Sequence, residues 1–116
     1  MYWNKQDECI TRHELEELQL RKLKKTLELA SKSPFYRKKG LGDYTIRDLN
    51  DVKKLPVTTK QDLRDAYPYG MVCTPLDKVV RLHSSSGTTG IPTVVYHSAQ
   101  DISNWTELVT RCLYMM

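Results

Sequence analysis

The sequence predicts an α+β fold: a small N-terminal helical bundle over residues 1–76, then a β-hairpin and a C-terminal helix over 77–116. Three observations point there. Helix caps and apolar residues at helical spacing fill the first part of the chain, two β-prone runs flank the loop SSSGTTG at 84–90, and a capped one-sided helical stripe follows.

Each element has its own signal. Thr11 with Glu14 forms a capping box, and Leu20, Leu23, Leu27 and Ala30 then recur at helical spacing, with Leu15, Leu18 and Leu29 widening the arc. A helix over about 12–31 is expected. Ser33 before Pro34 reads as an N-cap and first helical residue, opening a short helix that Gly40 and Gly42 end. The stretches TIRDL at 45–49 and TTKQDL at 58–63 repeat the cap pattern for two more short helices, separated by Pro56. Val79, Val80 and Leu82 then suit one strand, and Thr93, Val94, Val95 and Tyr96 a second after Pro92. Ser98 with Asp101 caps a final helix whose stripe is Ile102, Trp105, Val109, Cys112, Leu113 and Met116. No glycine or cap ends it, and its apolar face has nothing after it to cover. Met1 is therefore expected to be a true start and Met116 a cut, with self-association or a homodimer driven by the orphan face.

Composition bounds the function. The chain has 116 residues, 40% hydrophobic and 28% charged, which fits one globular domain and excludes disordered or fibrous classes. No secretory signal is visible and no run approaches the ~18 apolar residues of a membrane span, so a cytoplasmic protein without a membrane partner is expected. Cys9, Cys73 and Cys112 form no CxxC pair and read as reduced thiols; Cys9 and His13 have an i, i+4 spacing, but no second pair completes a metal site. The net charge of +4 and the clusters RKLKK (21–25) and YRKKG (36–40) raise nucleic-acid binding. Glu14, Glu16 and Glu17 ahead of those lysines, with Glu17 and Arg21 at i, i+4, favour a solvated helix face instead, and no nucleic-acid partner is expected.

The loop between the strands carries the chemistry. A linker would be flanked by structureless polar sequence, and a hairpin turn needs two to five residues rather than the stretch from Ser84 to Pro92. Gly87 and Gly90 allow backbone N–H groups to converge as a nest, and Ser85, Ser86, Thr88 and Thr89 add hydroxyls, which suits polyphosphate. The loop has no lysine and is not a Walker A sequence. His83 and His97 flank it and read as ordinary strand-end residues rather than a general acid or base, and the sequon NWT at 104–106 as a chance match. Two rival functions stay open at this level: a self-contained small nucleic-acid or phosphate-binding module, and a non-catalytic helical interaction domain.

The stretch SSGTTGIPTVVYH at 85–97 resembles the phosphate loop of the adenylate-forming superfamily, the acyl-CoA synthetases and their relatives. FYR (35–37), LPVTTKQDLRDAYPYG (55–70), RLHSSSGTTGIPTVV (81–95) and W-x-E-L-V-x-R (105–111), in that order, are similar to the phenylacetate-CoA ligases. The resemblance implies a fragment, the first quarter, of a larger α/β enzyme, with 77–116 opening its AMP-binding domain. It implies ATP-dependent activation of an aryl acetate to an acyl-adenylate with release of pyrophosphate, then thioester formation with coenzyme A, with Mg2+ as the metal. It assigns Ser85, Ser86, Gly87, Thr88, Thr89 and Gly90 to the β- and γ-phosphates of ATP. Thr93 stands where many superfamily members carry lysine, as is usual in the phenylacetate branch; Ile91 stands where that branch often has lysine, so charge neutralisation from that position is absent. The adenine, acid and magnesium sites and the mobile C-terminal lysine are implied to lie downstream, leaving no catalytic or metal-binding residue here and an inactive isolated chain.

Overall fold

A computed structural model describes residues 2–85 and 92–116. After a short helix α1 (Lys5–Glu8) comes the longest element, α2 (Arg12–Ala30). Its cap forms as the sequence predicts: the Glu14 N–H donates to Thr11 Oγ1 at 3.3 Å, and the Thr11 N–H donates back to Glu14 Oε2 at 2.8 Å. α3 (Pro34–Lys38) begins at the Ser33 cap, and Gly40, at φ 67°, ends that turn in the left-handed region. Gly42 does not end α3; it lies inside the 3-10 turn Leu41–Asp43.

The helix expected from TIRDL begins later and is 3-10, over Leu49–Lys54. Asp48 rather than Thr45 is its cap, with the Asn50 N–H donating to Asp48 Oδ1 at 2.7 Å. The reason is Asp51, whose carboxylate accepts from the Arg47 and Asp48 N–H groups at 2.8 and 3.2 Å and from Lys54 Nζ at 2.5 Å. Three donors to one charged acceptor outweigh what a neutral threonine offers. α4 (Lys60–Asp65) follows the Thr59–Asp62 capping box, and Lys39 ties it to α3 through Asp62, 3.4 Å away.

The helices do not form a bundle. Before the strands every α-helix but α2 has six residues or fewer, too short to lie along another, and α2 packs chiefly on the turns at Leu41–Asp43 and Leu49–Lys54, with a half-buried stripe of Leu20, Leu23, Leu27 and Ala30. Leu41 and Ile46 are the buried apolar residues among those described. The radius of gyration is 16.7 Å, against ~13 Å for a compact chain of this length.

A 3-10 turn, Leu76–Lys78, leads into the strands β1 (Val79–Ser84) and β2 (Val94–Ser98). They pair antiparallel in a two-stranded sheet, with Arg81 opposite His97, His83 opposite Val95 and Ser84 opposite Val94, and an irregularity between Val79 and Arg81. Ser98 then caps α5 (Ala99–Tyr114) through the expected box with Asp101. No helix among the described residues is long and apolar enough to cross a membrane.

α5 is pinned along its length. Trp3 Nε1 donates to Glu107 Oε1 at 2.6 Å and its ring meets Tyr114 edge-on at 5.4 Å, while Arg111 Nε lies 3.6 Å from Glu8 Oε1. The rest of its apolar face is open, with Leu108 57% and Leu113 67% exposed; the helix ends at Tyr114, so Met116 lies beyond the expected stripe. Around α2, Arg12 pairs with Glu16 and Lys32 with Glu28, while Glu17 lies beside His13 rather than Arg21. Such exposed pairs contribute only about 0.3–0.5 kcal/mol, too little to select one partner over another. Cys9 caps the end of α1, ahead of the helix that holds His13, so the two do not share a helix face.

Candidate functional site

The hairpin brings the two ends of the Ser/Thr/Gly loop together and fixes them. Beyond the last strand pair, the Ser85 N–H donates to the Thr93 carbonyl oxygen at 3.0 Å, the two hydroxyls lie 2.6 Å apart, and the Thr93 N–H reaches Ser85 Oγ at 3.3 Å. Thr93 is thereby a closing residue of the hairpin, a role no sequence signal assigned to it. Of the residues expected to hold phosphate, Ser85 sits in this neck with its hydroxyl committed to Thr93. Ser86, Gly87, Thr88, Thr89 and Gly90 lie outside the described residues, as does Ile91.

Strand alternation sorts the side chains into two faces. On one, His83 and His97 meet edge-on with ring centroids 4.7 Å apart, and Trp105 of α5 closes over both, 5.3 Å from His83 edge-on and 6.2 Å from His97 in a stacked arrangement. The two histidines are thus packing residues that tie the strands to α5. Their meeting follows from the register: with Arg81 opposite His97, a period of two puts 81, 83, 95 and 97 on one face. The distant Trp105 was hidden, because nothing local in the sequence says how α5 folds back.

The other face borders a half-open cavity of about 340 Å3 whose walls include Tyr36, Ala66, Met71, Cys73, Val94 and Tyr96. Burial pushes the Tyr96 hydroxyl pKa up, helped by the neighbouring Tyr69 and Tyr67. It likewise raises that of the Cys73 thiol, which is therefore a poor nucleophile. Tyr69 and Tyr96 lie 5.7 Å apart, and Tyr36 shares a hydrogen bond of 2.6 Å with Thr58. This is an apolar wall with little acid–base capacity. Among the described residues no group of three His, Cys, Asp or Glu could hold a metal ion.

A phenylacetate-coenzyme A ligase of Escherichia coli (strain K12) is 49% identical to this chain over 105 residues, covering 86% of the chain. The chain belongs to the phenylacetate-CoA ligase family. A second phenylacetate-coenzyme A ligase, from Aromatoleum evansii, is 44% identical over 111 residues and covers 91% of the chain. The chain spans about a quarter of these relatives, 24% of the first and 25% of the second. No family model matches. A solved structure of 2-hydroxyisobutyryl-CoA ligase, in complex with 2-HIB-AMP and CoA in the thioesterification state, superposes with a TM-score of 0.86 at 28% identity, over 99% of this chain and 26% of that one. The α+β architecture with its two-stranded antiparallel sheet is therefore an arrangement that an acyl-CoA ligase also contains.

Proposed function

We propose that this segment is the phosphate-binding portion of an ATP-dependent aryl-acid CoA ligase, which converts phenylacetate, ATP and coenzyme A to phenylacetyl-CoA, AMP and pyrophosphate through an acyl-adenylate. The observation that carries it is the neck: Ser85 and Thr93 clamp the ends of a Ser/Thr/Gly loop in a chain up to 49% identical to phenylacetate-CoA ligases. In the first half-reaction a carboxylate oxygen attacks the α-phosphorus and the bond to the β-phosphate oxygen breaks. Negative charge grows on the departing pyrophosphate. Donors at Ser86, Gly87, Thr88, Thr89 and Gly90 would hold the β- and γ-phosphates in bound ATP and where that charge develops, with Ser85 closing the neck beneath them.

ATP and coenzyme A are substrates in this scheme, with 77–116 as the opening of the AMP-binding domain. Mg2+ is expected of the reaction, but among the described residues no cluster of His, Cys, Asp or Glu forms a site for it.

The loop's role is tested by Gly87→Ala and Thr88→Val in a ligase of the relatives' full length that carries this sequence as its own. A Cβ at a nest glycine costs about 1–3 kcal/mol, and a hydroxyl bonded to a charged oxygen contributes about 1.5–3 kcal/mol. Each change should therefore cut adenylation efficiency by about one to two orders of magnitude with little change in melting temperature. Unchanged ATP–pyrophosphate exchange alongside lost stability would remove the phosphate assignment.

A further inference from the structure

The stretch W-x-E-L-V-x-R lies outside the Ser/Thr/Gly loop, yet three of its side chains each hold something. Trp105 packs on His83 and His97, Glu107 accepts from Trp3, and Arg111 pairs with Glu8. α5 is thus fixed at its far end to the N-terminal arm and near its start to the hairpin. Its attachment to the hairpin lies close to the neck: His83 is two residues before Ser85, and His97 is four after Thr93. A two-stranded hairpin does not hold its own position in water, so whatever it carries is placed by what packs on its faces.

We propose that Trp105 is a positioning residue for the phosphate site, setting where the Ser85–Thr93 neck stands relative to the rest of the enzyme; this rests on the phosphate-loop function proposed above. Trp105 touches no phosphate. It acts through the two imidazole rings, which transmit its position to both strands at once. A displaced neck would misplace the phosphate donors while leaving acid and coenzyme A sites elsewhere in the enzyme untouched, and a small misplacement is costly in an oriented site.

The test is Trp105→Ala in a ligase of the relatives' full length carrying this sequence, assayed well below its melting temperature. KM for ATP should rise about tenfold, with KM for phenylacetate and coenzyme A within about twofold, and Trp105→Phe should recover most of the loss by restoring an aromatic ring. An unchanged KM for ATP, an equal rise for all three substrates, or no recovery with phenylalanine would each overturn the proposal. If Trp105→Ala does not fold, the double change His83→Ala and His97→Ala removes the same contacts from the strand side; it should give the same selective rise, and no rise would overturn the proposal. Thr88→Val run in parallel separates the two claims. An effect of Thr88→Val on ATP use without one from Trp105→Ala removes the positioning role alone, whereas silence from both removes the phosphate loop and the positioning role together.

Discussion

Ser33 is fully buried although it is polar, and its hydroxyl does two jobs: it donates to the Ala30 carbonyl oxygen at 3.0 Å and accepts from the Tyr36 N–H at 3.2 Å. It joins the end of α2 to the start of α3. Ser33→Ala leaves both groups without that partner and should destabilise the chain by about 1–2 kcal/mol, read from the urea midpoint. Gly70 is constrained by space rather than by φ. A Cβ there would stand 2.6 Å from the Ala66 carbonyl oxygen, while the Gly70 carbonyl accepts from the Phe35 N–H at 2.9 Å and so cannot move away freely. At Gly40 the obstacle is the left-handed backbone itself, since a Cβ there would meet only Asp43 Oδ2, at 3.1 Å, the end of a side chain free to swing aside. Gly70→Ala should therefore cost more than Gly40→Ala, for which about 1 kcal/mol is expected. Equal midpoints for the two variants would show that the Ala66 contact relaxes without cost.

At the level of elements, the recurring device is a hydroxyl or carboxylate cap answered by an acid three residues on: Thr11 with Glu14, Asp48 with Asp51, Thr59 with Asp62, Ser98 with Asp101. All four answering acids have pKa values below the ordinary carboxylate range. The leading causes are the Thr11 hydroxyl for Glu14, Lys54 for Asp51, the Thr59 backbone for Asp62 and the Ser98 hydroxyl for Asp101. A carboxyl whose folded pKa is depressed contributes stability that is complete above its unfolded value of about 4 and is lost as pH falls toward the folded value. Helicity followed by circular dichroism should accordingly hold from pH 7 to about 5 and decline below about 4. Asp51→Asn, which retains an acceptor but no charge, should lower stability at pH 7 and shrink the difference from the parent in acid. A profile that rises on acidification would contradict this account of the caps.

The whole molecule is short of internal cover. Its accessible surface is 9053 Å2, whereas a folded monomer of its mass, 13.5 kDa, exposes about 6,500 Å2. The difference, roughly 2,500 Å2, is comparable to the area of a large protein interface. The exposed part of α5, with Trp105 at 47%, Leu108 at 57% and Leu113 at 67%, lies beside a sheet whose two edges are unpaired among the described residues. Purified by itself, the chain should self-associate, sedimenting faster than a 13.5 kDa monomer as concentration rises. A monomer at all concentrations would show that these faces are tolerated in water. The same chain should give phenylacetate-dependent ATP–pyrophosphate exchange no higher than the blank, because a phosphate loop alone supplies little of the transition-state binding that adenylation requires.

The sequence by itself determined the local structure, because caps, turns and periodicity act over three or four residues: Thr11, Ser33, Thr59 and Ser98 open helices where their spacing says they should. It also made the strand pair and the loop between them legible, and the spacing of FYR, the 55–70 stretch and the loop pointed to the phenylacetate-CoA ligases, as the relatives confirm. Thr45 misled because Asp51, three residues beyond the competing cap, gathers three donors, and such a comparison of acceptors needs coordinates. The bundle misled for a different reason. Apolar spacing shows that a helix has a face to bury but not what is there to bury it, and before the strands α2 has no second long helix to pack against. Tertiary structure alone decided that Thr93 closes the hairpin on Ser85 and that Trp105 meets His83 and His97, since the first depends on register and the second on how α5 turns back after Ser98. Contacts between residues close in space and distant in sequence are set by chain geometry that no local pattern encodes.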